Sequence, residues 1–140
     1  MKAGEAEAVR WYLQGTKDAK TAEKNARAGD FEVSCFLFQQ AAEKILKGLL
    51  ILKGERAGVG HSVLKLVQTC AAHAPVFQSL TEAAARLDVL YLPTRYPFAL
   101  PGGAPYEFFT LAHAQQALEA YQTVFRAVYE HFQGLVEHSG

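Results

Sequence analysis

Three groups of residues in this 140-residue chain have types and spacings suited to chemistry. Arg95 and Tyr96 stand between Pro93 and Pro97, so a guanidinium and a phenol ride on a backbone restrained at both ends. A guanidinium held in this way forks onto phosphate oxygens, and a ring beside it stacks on a base. The same two residues also have a structural use, Arg95 pairing with Asp88 while Tyr96 packs the segment onto the body of the protein. His61 directly precedes Ser62 at an expected helix start, where free backbone amides favour an anion. A histidine there serves equally well as a donor to neighbouring backbone. Gln40, Glu43 and Lys47 follow Phe36 at steps of four and three, which places them on one side of a helix. Such a stripe either contacts a partner and lines a cleft, or is a solvated face with internal ion pairs; in so apolar a helix partner contact is the reading we favour.

The elements that must position these groups read as helices. From Glu5 to Ala28 the chain is rich in Ala, Glu and Lys, with Ala6, Val9, Leu13 and Thr16 spaced by three or four, and Gly29 ends the pattern. Asp30 is the expected cap of a second helix, whose Phe31, Cys35, Phe38, Ala42, Ile45, Leu49 and Leu52 alternate steps of four and three. A second stripe, Val33, Leu37, Ala41 and Gly48, marks this helix as central, and Gly48 permits close backbone approach. After the glycine turn 54–60, Ser62 caps a short helix with Val63, Leu66, Val67 and Cys70 on its apolar side. Pro75 opens a fourth, carrying Val76, Phe77, Leu80, Ala84, Leu87, Leu90 and Tyr91, and Pro93 stops it. A long Pro- and Gly-rich connector follows, and its Tyr96, Phe98, Tyr106, Phe108 and Phe109 are expected to be buried and to pin it to the bundle. Thr110 then caps the last helix, which runs from Leu111 through Leu135. The expected fold is all-α: an antiparallel bundle of about five helices in one domain over residues 1–140. The two apolar seams and the extra stripe on the second helix predict a homodimer.

Composition narrows the function. Fourteen Lys plus Arg balance fourteen Asp plus Glu, so no overall field attracts nucleic acid or an anionic membrane, and any anion site must be local. Cys35 and Cys70 lack metal-ligand or CxxC spacing and read as buried reduced thiols. There is no apolar leader, and Leu49-Leu50-Ile51-Leu52 cannot span a bilayer, so a soluble cytoplasmic protein is expected. Metal-binding, P-loop, nucleophile-elbow and dinucleotide motifs are missing, and no helix gathers the cations of a DNA-recognition helix. Neither a metal nor a required cofactor is expected.

Phe38-Gln39-Gln40-Ala41-Ala42-Glu43-Lys44, then His61-Ser62-Val63-Leu64, then Leu87-Asp88 and Tyr91 leading into Thr94-Arg95-Tyr96-Pro97, appear in the order seen in one family. Over nearly its whole length the chain resembles the HEPN domains, named for higher eukaryotes and prokaryotes nucleotide binding. Many members carry an acidic residue where this chain has Phe98. The resemblance implies an all-helical dimer, often encoded beside a minimal nucleotidyltransferase. It implies, as the first reading, a non-enzymatic module that binds a nucleotide such as ATP, that partner enzyme, or both, with Arg95, Tyr96 and His61 at the anion site. As the alternative it implies a metal-independent ribonuclease of toxin type, in which arginine and histidine four to six residues apart act on RNA. Two segments fit that spacing, Arg56 with His61 and Arg126 with His131. Five residues along a helix turn the side chain by about 140°, so the second pair diverges. Arg56 and His61, in a glycine turn, are the better pair.

Overall fold

The computed structural model describes residues 1–136, and among them the chain forms six α-helices and no strand. Helix α1 spans Ala3–Arg27, α2 Phe31–Leu52, α3 Val63–Cys70, α4 Thr81–Asp88, α5 Pro105–Phe108 and α6 Leu111–Val136. Two 3₁₀ turns, Pro75–Leu80 and Pro97–Ala99, complete the path. No helix among the described residues is long and apolar enough to cross a membrane.

Helix α2 is central and touches α1, α3, α4, α5 and α6. Its Cys35, Phe38, Ala42, Ile45 and Leu49 are buried, as their four-three spacing predicts. Helix α1 packs on it through a different face from the one expected. Ala8, Tyr12, Gly15, Ala19 and Ala22 are buried, while Leu13 stays exposed. Small residues decide this: a Cβ on Gly15 would stand 2.6 Å from Ile45 Cγ2, and one on Gly48 3.0 Å from the Ala8 carbonyl oxygen. Two backbones that close have no room for a larger side chain between them, and the pairing of 15 with 45 and of 8 with 48 makes the helices antiparallel. Helix α6 covers another side, with Tyr12 stacked on Phe132 at 4.5 Å and Phe38 tilted against Tyr121 at 5.8 Å. Apart from the exposed Val33, the apolar stripes of α2 are thus consumed within one chain, and the surplus expected to drive dimerisation is not on this helix.

Further expectations change. The fourth helix begins as a 3₁₀ turn, because only Phe77 and Leu80 of Val76, Phe77 and Leu80 are buried, and a spacing of three eclipses on a 3₁₀ turn. It also ends at Asp88, so Leu90 and Tyr91 lie in following turns. Asp30 occupies the cap position of α2 without a side-chain capping bond. Thr110 directs its hydroxyl to His113 Nδ1 rather than to the backbone of α6, and its own N–H donates to that nitrogen at 3.0 Å. The largest departure is the connector. Phe109 is buried, but Tyr96, Phe98, Tyr106 and Phe108 are exposed, Phe98 by 78%. Short elements started by Pro97 and Pro105 run over the surface, so their side chains have no second layer above them. Cys35 and Cys70 are buried thiols, each pushed up to about 12 chiefly by burial.

Candidate functional site

Helix α2 holds His61 in place from two positions one turn apart. Gln39 donates from Nε2 to the His61 carbonyl oxygen at 3.1 Å, and Glu43 meets the ring, with Nδ1 3.2 Å from Oε1. From the other side Asp88, at the end of α4, accepts from Ser62 Oγ at 2.7 Å and from the amides of Val63 and Leu64. Ser62 itself caps α3 by accepting from the Lys65 amide, as the sequence predicts. Asp88 therefore fills the N-terminus of α3 and is not the partner of Arg95. His61 remains half exposed, its ring stacked on Tyr91 at 4.8 Å with planes 18° apart.

Arg95 reaches the same Tyr91. Its guanidinium carbon lies 4.5 Å from the Tyr91 ring centre, 4.6 Å from Phe36 and 4.9 Å from Tyr96. Nε donates to the Tyr91 carbonyl oxygen at 2.9 Å, and one terminal nitrogen reaches the Tyr96 hydroxyl at 3.4 Å. Among the described residues Arg95 makes no ion pair, so three of its five N–H donors are left without a protein acceptor. Three rings hold the cation by their faces and leave its rim for a ligand. Tyr91 is the residue that both reach, His61 at 4.8 Å and Arg95 at 4.5 Å from its ring centre, although the two stand 34 positions apart in sequence. The sequence set Phe36 at the head of the polar stripe of α2 and Tyr91 among the residues of the resemblance, with no sign of a place beside Arg95. Their role comes from lying under the same guanidinium.

Beneath this surface the polar stripe of α2 is a buried network. Glu43 accepts from Lys47 Nζ at 3.1 Å, and weaker contacts from Gln39 and Gln40 at 3.4 and 3.5 Å reach its Oε1. Gln39, Glu43 and Lys47 are buried, with Lys47 Nζ lying 5.8 Å from the centre of the Trp11 ring. Gln40 is half buried and donates to Gln39 at 2.8 Å. Arg56 stands apart. It lines a shallow hollow with Ala57, Gly58, Gly60, Ser62 and Lys65, to which the His61 side chain does not contribute. Arg126 is exposed on α6, and His131 lies half buried near Phe77, its pKa lowered first by burial and then by Lys53.

A small all-helical domain, built on one central helix whose buried polar residues hold a histidine next to an aromatic-caged arginine, is the class that this geometry defines. The sequence model of the HEPN domain matches residues 8–131, and the chain belongs to that family. Among solved structures it is similar to TT1696 from Thermus thermophilus, with 37% identity over 88% of this chain and 96% of that one and a TM-score of 0.83. It is also similar to ST0689, described as an archaeal HEPN homologue, with 32% identity over 89% and 96% of the two chains and a TM-score of 0.74. A HEPN domain protein from Thermotoga maritima, tm0613, shares the fold at 22% identity and a TM-score of 0.70, covering 89% of this chain and 98% of its own. Comparison with curated proteins found no match.

Proposed function

We propose that this HEPN domain is a non-enzymatic module that binds a phosphate-bearing nucleotide such as ATP at the surface formed by His61, Tyr91, Arg95 and Tyr96. The observation that carries the reading is the state of Arg95: half buried, fenced by three rings, without a carboxylate partner among the described residues, with donors to spare. Desolvating a guanidinium without an anion is unfavourable, and an incoming phosphate offsets that cost with charge-assisted bonds. His61, stacked on the same Tyr91, offers Nε2 as a further polar contact, and the half-exposed Tyr96 ring is available to a base. The protein acts as a homodimer, and a minimal nucleotidyltransferase is its expected protein partner. The exposed rings of the connector, rather than α2, offer the apolar surface for such contacts.

Calorimetry with ATP and with inorganic triphosphate tests the site. Arg95→Ala is expected to weaken binding by about 1.5 to 3 kcal/mol with the helical content unchanged, and Arg56→Ala to leave it as it was. Single-stranded RNA cleaved without metal, and protected by Arg56→Ala but not by Arg95→Ala, would replace this reading with the ribonuclease one. Sedimentation at micromolar concentration checks the dimer, for which a clean 15.4 kDa species is the contrary result.

A further inference from the structure

We infer that Glu43 is the positioning residue of this site: it decides which ring nitrogen of His61 carries the proton and thereby makes Nε2 the atom that meets the ligand. The inference rests on the anion-binding reading above and adds a residue that does not itself touch the ligand. Glu43 Oε1 and Oε2 lie 3.2 and 3.4 Å from His61 Nδ1. An ionised carboxylate only accepts hydrogen bonds, so a contact at this distance requires the proton on Nδ1. Lys47 Nζ donates to Oε2 and the amide nitrogens of Gln39 and Gln40 lie near Oε1, so the carboxylate is surrounded by donors inside the bundle. Lys47 and Glu43 cancel in charge, so the pair holds the ring without adding a net negative charge that would repel an anion.

The remaining freedom of the ring is removed by two other contacts. Gln39 fixes the His61 carbonyl, and Tyr91 lies flat against the imidazole. With Nδ1 committed to Glu43, Nε2 has no bond to any described residue, and the side chain as a whole is half exposed. In the neutral ring Nε2 is an acceptor, suited to the hydroxyl of a protonated phosphate. In the charged ring it is a donor, suited to a phosphate oxyanion. Without Glu43 the proton could reside on either nitrogen, and part of the population would present an Nε2–H donor in place of the acceptor. The groups facing the ring are Glu43 from α2 and Tyr91 from the turns after α4, with Lys47 acting through Glu43 and Arg95 through Tyr91.

The test reads the tautomer directly. Histidine-labelled protein without ligand is examined by two-bond proton–nitrogen correlation at about pH 8.5, above the ordinary histidine range. Wild type is expected to show His61 with its proton on Nδ1. Glu43→Gln alone leaves Lys47 buried and unpaired, so the companion protein is the double variant Glu43→Gln with Lys47→Met, in which both charges are gone. At the same pH its His61 is expected to shift toward the Nε2–H form, a donor where the neutral wild-type ring only accepts, and its affinity for inorganic triphosphate to rise about fivefold at unchanged helical content. A wild-type ring protonated on Nε2 overturns the inference. If wild type binds triphosphate while the double variant keeps both the tautomer and the affinity, the inference alone fails. If wild type binds no triphosphate, the anion reading fails and the inference goes with it.

Discussion

Helix α2 and the connector between α4 and α6 distribute their polar and apolar side chains in opposite ways. On α2, Gln39, Glu43 and Lys47 lie buried among the residues of the core. On the connector, Tyr96, Phe98, Tyr106 and Phe108 face outward. Hydropathy alone would assign the reverse. The difference is one of partners and of layers. Gln39, Glu43 and Lys47 each have a partner within a turn or across to His61, so their loss of water is compensated, while the buried Ser34 hydroxyl on the same helix has none among the described residues. The rings of the connector stand on short proline-led turns with no further element above them, and their contacts are lateral: Tyr96 stacks on Phe98 at 5.7 Å beside Arg95, and Phe108 meets Phe109 edge-on at 5.2 Å and stacks on His113 at 5.5 Å. Polarity is tolerated inside where it is paired, and an aromatic stays outside where nothing covers it.

The contrast can be broken most severely at Glu43. Glu43→Ala is expected to cost about 3 to 5 kcal/mol, because Lys47 is left as an uncompensated buried charge. Urea denaturation checks this, and a loss below about 1 kcal/mol would mean that the network is effectively solvated. Ile45→Ala, close to the same network but purely apolar, is expected to cost about 2 to 5 kcal/mol through lost burial and a residual cavity beside Gly15. Comparing the two variants separates what α2 owes to pairing from what it owes to packing.

Alkaline pH probes the same interior more gently. Cys35 and Cys70 move from an ordinary 9.0 to about 12 on folding, so the unfolded chain ionises first. Their contribution is complete below about pH 9 and is lost as pH rises toward 12, and the guanidinium midpoint is expected to fall over that window. On the connector the expected effect is smallest. Phe98→Ala should change stability by no more than about 0.5 kcal/mol, since the ring is mostly in water already. A larger loss in thermal denaturation would show that the connector is a structural strap rather than an open surface.

Much of the scaffold was legible beforehand because it depends on local rules. The four-three seam of α2, the Ser62 cap and the apolar side of α3 all follow from spacing that any helix imposes. The buried face of α1 was not legible, because glycine and alanine carry little hydropathy and mark a contact only when a second backbone is already close. The site was half legible. His61, Arg95 and Tyr96 stood out by type and context, and Glu43 and Lys47 by spacing. Tyr91, Phe36 and Asp88 acquired roles only in three dimensions, Asp88 as the acceptor at the start of α3 and the two rings as walls around Arg95. The helices, their order and the residues proposed to bind an anion are thus set by the chain itself, through periodicity and capping that act over a few residues. Which polar groups are buried, which rings remain in water, and that His61 and Arg95 share one tyrosine were decided by tertiary packing, because each depends on a partner distant in sequence whose position no local pattern encodes.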